Sequence, residues 1–176
     1  ITSGEARLIM EFNQGLNISD GDTLKVVYTG GEIDPRALLR DTSGNRSYWG
    51  GTFWSNYNVV FVNTKGIVFG ANANIQAASL IASTLNITNN DFLNGNYNFL
   101  KDGESAFIIN RGNIKFRNGG YAILLSQAVQ NLGNISIEAG IGSVALAAGE
   151  AMTLNLDDAG DISVVIDKAV ESIVLG

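Results

Sequence analysis

No pair of residues in this chain is equipped for the commonest enzymatic chemistry. Its 176 residues include no His and no Cys. That removes Ser-His and Cys-His nucleophile pairs, the usual general base and the usual ligand for transition metals. Carboxylates are thinly spread. Asp157, Asp158 and Asp161, with Asn155 nearby, make one small acidic loop whose oxygens suit Ca²⁺. Its spacing matches neither an EF-hand nor a Ca²⁺-binding nonapeptide, and adjacent carboxylates in a loop serve solubility equally well. An acidic cluster with an Arg or Lys base, as polysaccharide lyases use, is not present. These residue types imply no enzyme, no cofactor and no metal.

Three other groups could contact a partner. Tyr48, Trp49, Phe53, Trp54 and Tyr57 crowd around Gly50-Gly51. Tyr48, Trp49 and Trp54 could form a surface patch that stacks on sugars; the plainer reading is strands whose aromatics pack over the fold, because aromatic residues mostly contribute by burial. Arg111, Lys115 and Arg117 alternate with Ile114 and Phe116, which sets the charges on the outer face of one strand. Such a row serves as a solvated face that blocks lateral pairing, or as a patch for anionic glycans. Asn63-Thr64-Lys65-Gly66-Ile67 reads as a tight turn, with Gly66 at φ > 0. The net charge of −6 repels a nucleic-acid backbone, so nucleic acid is not expected as a partner.

The elements that position these residues are short strands. Hydrophobic residues make up 45% of the chain, yet no apolar run approaches the roughly 18 residues of a membrane helix, so no membrane insertion is expected. There are 21 Gly and one Pro, and Gly and Asn break almost every window long enough for a helix. The best helical candidate, Gln76 to Thr84, still reads as strand.

A repeat organises the strands. Asn110-Arg111-Gly112-Asn113-Ile114-Lys115-Phe116 and Asn131-Leu132-Gly133-Asn134-Ile135-Ser136-Ile137 stand about 21 residues apart. At that offset Gly119 falls on Gly140, Ile123 on Val144 and Leu125 on Leu146. Asn63 to Phe69 aligns on Asn110 to Phe116, and a further copy continues at Gly160-Asp161-Ile162-Ser163-Val164. A period near 20 residues marks a solenoid. The expected fold is all-β: a right-handed parallel β-helix of about eight rungs, with Asn side chains laddering at the turns. Ile114, Phe116, Ile123, Leu125, Ile135, Ile137, Val144 and Leu146 are expected inside, with Lys115, Arg117 and Ser136 outside. Residues 1–176 are expected to form one domain, 1–57 cap-like and 58–176 regular coils. Ile1, with no Met before it, reads as a processed end or an excised boundary.

Several segments resemble a known family. Asn63-Thr64-Lys65-Gly66-Ile67, Leu80-Ile81-Ala82-Ser83-Thr84-Leu85 and Asp91-Phe92-Leu93-Asn94-Gly95-Asn96-Tyr97 resemble, in order, three segments of the two-partner secretion domain of the filamentous haemagglutinin family. In that family the first is Asn-Pro-Asn-Gly-Ile; here Thr64 and Lys65 stand in place of Pro and Asn. Gly4 to Phe12, Leu16 to Ile18 and Gly21 to Leu24 resemble the family's opening coils, and Ala37 to Asp41 its next strand.

The resemblance implies an N-terminal cap with extra antiparallel strands, and a secreted or cell-surface protein. It implies an outer-membrane β-barrel transporter as partner, whose periplasmic recognition domains engage this segment, and β-helix folding seeded for an adhesin. The turn Asn63, Thr64, Lys65, Gly66, Ile67 is then the transporter-recognition or structural turn. An alternative is a structural subunit of an extracellular filament. The alternating, apolar C-terminal stretch, with Ile162, Val164, Ile166, Ile173 and Leu175, is the expected assembly edge for further chain or for self-association.

Overall fold

The computed structural model describes residues 1–156 and 161–171. The described chain winds through three parallel faces. Face one holds β2 (Arg7–Phe12), β4 (Arg36–Asp41), β7 (Asn58–Val62), β10 (Ser79–Ser83), β14 (Tyr121–Ser126) and β17 (Ser143–Ala148). Face two holds β5 (Ser47–Trp49), β8 (Ile67–Phe69), β12 (Phe107–Asn110) and β15 (Ala128–Asn131). Face three holds β1 (Thr2–Ser3), β3 (Thr23–Tyr28), β6 (Thr52–Ser55), β9 (Asn74–Ala77), β13 (Asn113–Phe116) and β16 (Asn134–Ile137). Each coil visits the faces in turn, and neighbours within a face pair in parallel. The architecture is a right-handed parallel β-helix.

Strand alternation sends every second residue inward. Ala37 and Leu39, Val59 and Phe61, Leu80 and Ala82, and Ala122 and Leu124 stack rung on rung inside the coil. Trp49 sits at the centre of this core, fully buried, with Phe61 at 4.4 Å, Phe53 at 4.7 Å and Phe69 at 5.7 Å between ring centroids. Its indole Nε1 donates to the Leu16 carbonyl at 2.8 Å, so the one polar atom of the largest buried side chain is satisfied.

Face one is covered on its outer side as well. After β10 the chain leaves the coil, forms α1 (Asn89–Asn94) and β11 (Tyr97–Leu100), and rejoins at β12. Later, β18 (Ala151–Leu156) and β19 (Ile162–Lys168) fold as an antiparallel hairpin, and β18 pairs with β11. This flank closes a second core over Leu38, Val60, Val62, Ile81, Ile123 and Leu125. A sheet buried on both faces explains the continuous apolar runs VVFV and AILL, which a half-exposed strand would not carry. Two arginines on the outer side of β4 pin the flank. Arg36 donates to the Tyr97 hydroxyl and pairs with Asp34 at 2.7 Å. Arg40 donates to the Ile87 carbonyl at 2.7 Å and to Asn89 Oδ1 at 2.8 Å.

Several expectations need correction. Among the described residues face one has six strands where about eight rungs were expected, because the excursion and the hairpin take chain that would otherwise coil. Gly160 to Val164 is no further coil: its described residues lead into β19 of the hairpin. The first third pairs as parallel rungs, and the antiparallel strands come from the second half. Helix α1 was not foreseen, though its signals are in the sequence. Thr88 caps it by accepting from the Asp91 amide at 3.0 Å, and Gly95 ends it at φ 74°. Truncating Trp49 to Ala is expected to cost about 3–5 kcal/mol, read as a lowered denaturant midpoint at unchanged slope.

Candidate functional site

The turn from Asn63 to Ile67 lies at the corner between faces one and two. Asn63 is 1% exposed, and its amide fastens three things at once. Its Oδ1 accepts from the Lys65 amide at 2.8 Å, which shapes the turn from within. Its Nδ2 donates to the Asn45 carbonyl at 2.9 Å and to Ser47 Oγ at 2.8 Å, one coil earlier. The Gly66 amide closes the turn on the Asn63 carbonyl at 3.1 Å. Gly66 has φ 120°, as the sequence predicts for this position.

The contact to Ser47 continues into a buried polar spine along this corner. Ser47 Oγ donates to Asp41 Oδ2 at 2.6 Å, and the same oxygen accepts from the Leu16 amide at 2.7 Å. Burial alone would raise the Asp41 pKa, but the Leu16 amide, the Ser47 hydroxyl and the groups of Ser43 outweigh it and hold Asp41 below the ordinary aspartate value. Higher in the stack, Thr84 and Ser126 share a hydroxyl–hydroxyl bond at 2.6 Å, and Thr84 donates to Gln127 Oε1 at 3.2 Å. The expected Asn ladders occur at the next corner: Asn110 donates to Asn131 at 2.7 Å, and Asn134 to Asn113 at 3.0 Å.

Asn63, Gly66 and Ile67 are thus spent inside, and Thr64 and Lys65 face out. They line a cleft of about 230 Å³ together with Arg40, Asn86 and Asp102. Asn86 and Asp102 come from the excursion that precedes β12, so the cleft joins the turn to the flank. Asp102 accepts from Asn86 Nδ2 at 3.1 Å, and the charges of Arg40, Lys65 and Asp102 on one cleft can hold a polar or charged peptide segment through hydrogen bonds. Nothing in that set activates a nucleophile.

The other sequence-derived sites separate. The aromatic patch does not exist as a unit: Trp49 is the centre of the core, and Phe53 and Tyr57 are also buried. Tyr48 and Trp54 are exposed, but on faces two and three respectively. Of the three basic residues only Lys115 lies within β13; Arg111 precedes that strand and Arg117 follows it. Among the assembly-edge residues, Ile162 and Val164 pack against the second core and Ile166 is 51% exposed, all on β19. Ile173 and Leu175 lie outside the described residues, as do Asp157 and Asp158.

The exposed apolar end is elsewhere. On the last coil, Val144 and Leu146 of β17 pair with Ala122 and Leu124 of the inner core, yet are 50% and 48% exposed because no described strand lies beyond them. Leu132 and Ile141 on the same coil are 61% and 81% exposed. Sequence reasoning missed this end because it followed apolar alternation to the C-terminal residues, and alternation does not reveal that the chain turns aside at Gly149. There the Glu150 carboxylate is gripped by Lys168 at 2.9 Å and Lys101 at 3.0 Å, which lowers its pKa.

No protein-family profile matches the chain. A curated relative, the heme/hemopexin-binding protein of Haemophilus influenzae, is 32% identical over 162 residues, which is 88% of this chain and 18% of the relative. The chain therefore spans less than a fifth of that protein's length. The crystal structure of the HMW1 secretion domain from Haemophilus influenzae superposes with a TM-score of 0.78 at 26% identity, over 95% of this chain and 45% of that one.

The corner and the Glu150 bend each yield a test. Gly66→Val should destabilise the fold by more than about 1 kcal/mol, because a β-branched residue resists φ 120° and the new Cβ would press on Arg46 at 3.2 Å; a lowered denaturant midpoint checks it. Asp41 and Glu150 both have folded pKa values below their unfolded ones. Their contribution to stability is full above the unfolded values of about 4 and is lost as pH falls through the folded values. Thermal melts between pH 6 and 3 should show a falling Tm, with a smaller fall for Asp41→Asn than for the parent.

Proposed function

We propose that this chain, a secretion domain of the two-partner kind, is the stretch of a longer exported protein that a dedicated outer-membrane β-barrel transporter engages. The transporter's periplasmic recognition domains contact it, and the folded coils then seed the β-helix of the chain that follows, at the cell surface. The role is recognition and nucleation of folding, not catalysis. One observation carries the reading: among the described residues the coil stack is closed along its flank and open at β17, where Val144 and Leu146 stand in inward phase with no described strand over them. A new coil laid there would find a preformed strand edge and an apolar floor, so each coil adds by nearest-neighbour contacts. Thr64 and Lys65 are the proposed recognition residues of the turn, since the remainder of that motif is occupied in holding the corner.

Export from cells carrying the transporter tests both halves. Thr64→Ala with Lys65→Ala should reduce the exported amount severalfold while leaving the Tm of the purified domain unchanged. Full export by that variant would leave the turn a purely structural feature. Val144→Asp with Leu146→Asp should export normally but slow the appearance of protease resistance in the segment that follows. End-to-end pairing of two copies would also cover β17, and a parent chain that sediments as a dimer only when Val144 and Leu146 are intact would favour the filament reading instead.

A further inference from the structure

Face three carries a surface row that the secretion reading does not use. Phe53, Ile75, Ile114 and Ile135 point inward, so the residue after each points out. Trp54 therefore stands beside Gln76, Gln76 beside Lys115, and Lys115 beside Ser136, one rung apart in strict register. Three rung spacings make a straight track about 14 Å long, parallel to the axis of the coil. Trp54 is 36% exposed, and the exposed Lys25 of β3 continues the row beyond it in the same register. Trp54 borders a cleft of about 160 Å³ whose walls include Gln76, Lys115, Arg117 and Glu138.

The chemistry of this track is specific. An indole face on a flat sheet offers an apolar, polarisable plane. Beside it stand a carboxamide, an ammonium, a guanidinium and a carboxylate, so both donors and acceptors are available. Lys115 Nζ and Glu138 Oε1 are 3.9 Å apart with side chains 43% and 67% exposed, a loose pair that can open to accept hydroxyls between its members. Gln76 is oriented by the bond from its Nε2 to Asn74 Oδ1 at 3.3 Å. Lys25, Lys115 and Arg117 make the row locally cationic, but Glu138 in the cleft and the net charge of −6 oppose a polyanion, so a neutral ligand is favoured and acidic glycans are an arm of the test. An aliphatic ligand would leave these polar groups unpaired.

We propose that this face binds an unbranched neutral oligosaccharide lying along the coil axis. One sugar ring stacks on Trp54, and the hydroxyls of the following units bond to Gln76, Lys115 and Glu138. The rung spacing supplies the periodicity, and β6, β9, β13 and β16 supply a rigid backing. The inference is independent of transporter recognition, which is proposed for a different corner.

The purified chain on an array of neutral and acidic oligosaccharides tests this, followed by titration of the tightest-binding glycan by tryptophan emission. Only two Trp are present and Trp49 is fully buried, so a ligand-induced change should come from Trp54 and vanish in Trp54→Phe. Trp54→Ala should weaken binding about tenfold or more, and Lys115→Met and Glu138→Gln severalfold each, at unchanged denaturation midpoint. Tyr48→Ala, which alters the exposed aromatic of face two, should leave the affinity as it was. Retention of no neutral glycan, a preference for acidic glycans that fades with salt, or full affinity in Trp54→Ala would each overturn the proposal.

Discussion

The in-register stacking of face one is the constraint on which the remainder of this molecule depends. Its strands carry apolar residues in both phases and lie between two cores, so a slip of one residue would exchange the residues of the two cores wholesale. Register must therefore be fixed from outside the strands. The corner after face one does this with buried polar groups whose geometry is directional where apolar packing is not. Asn63, Ser47 and Asp41 bond in series across consecutive coils and reach the Leu16 amide. A coil displaced by one residue would break each of these bonds and bury their partners unsatisfied, at roughly 1–3 kcal/mol per group.

The flank obeys the same constraint from the other side. Leu38 on β4 belongs to the second core, and its neighbours in the same phase, Arg36 and Arg40, reach out to the excursion. Apolar burial gives the layer its adhesion, and the two guanidiniums decide where it adheres. Each is only partly exposed and spends its donors on several fixed acceptors, which suits the planar guanidinium better than an ammonium.

How far the sequence discloses this can be judged at particular residues. The 21-residue offset between Asn113–Phe116 and Asn134–Ile137 is the true register of β13 on β16. The same offset fails one strand later. β14 pairs with β17 at an offset of 22, so Ala122 meets Val144 and Leu124 meets Leu146. The extra residue lies in the turn that contains Ile141, which stands 81% exposed. Ile123 and Leu125 are buried as expected, but in the outer core. Asn63 and Asn110 mislead differently. Each is a buried Asn followed by a turn and a strand, which gives nearly the same local sequence, yet Asn63 holds one corner of the coil and Asn110 the next. Local chemistry identifies a corner; only the pairing says which corner it is. The candidate turn was legible because its motif is local. The central place of Trp49 was not, because two of the rings that bury it, Phe61 and Phe69, come from the next coil.

The departure of the chain at Gly149 connects these points. A coil that simply continued would cover Val144 and Leu146 with its own next strand. Instead β18 turns back along the flank and pairs with β11, and Glu150 is locked between Lys101 and Lys168 at the bend. The hairpin thus completes the second core, sealing the outer side of face one, while no described strand covers the inner core at β17. A lone stack of coils would expose both the outer side of face one and its final edge, and would associate through either. With the outer side covered, the inward-phase apolar side chains of β17 and the edge of that strand are what the described residues leave uncovered at this end.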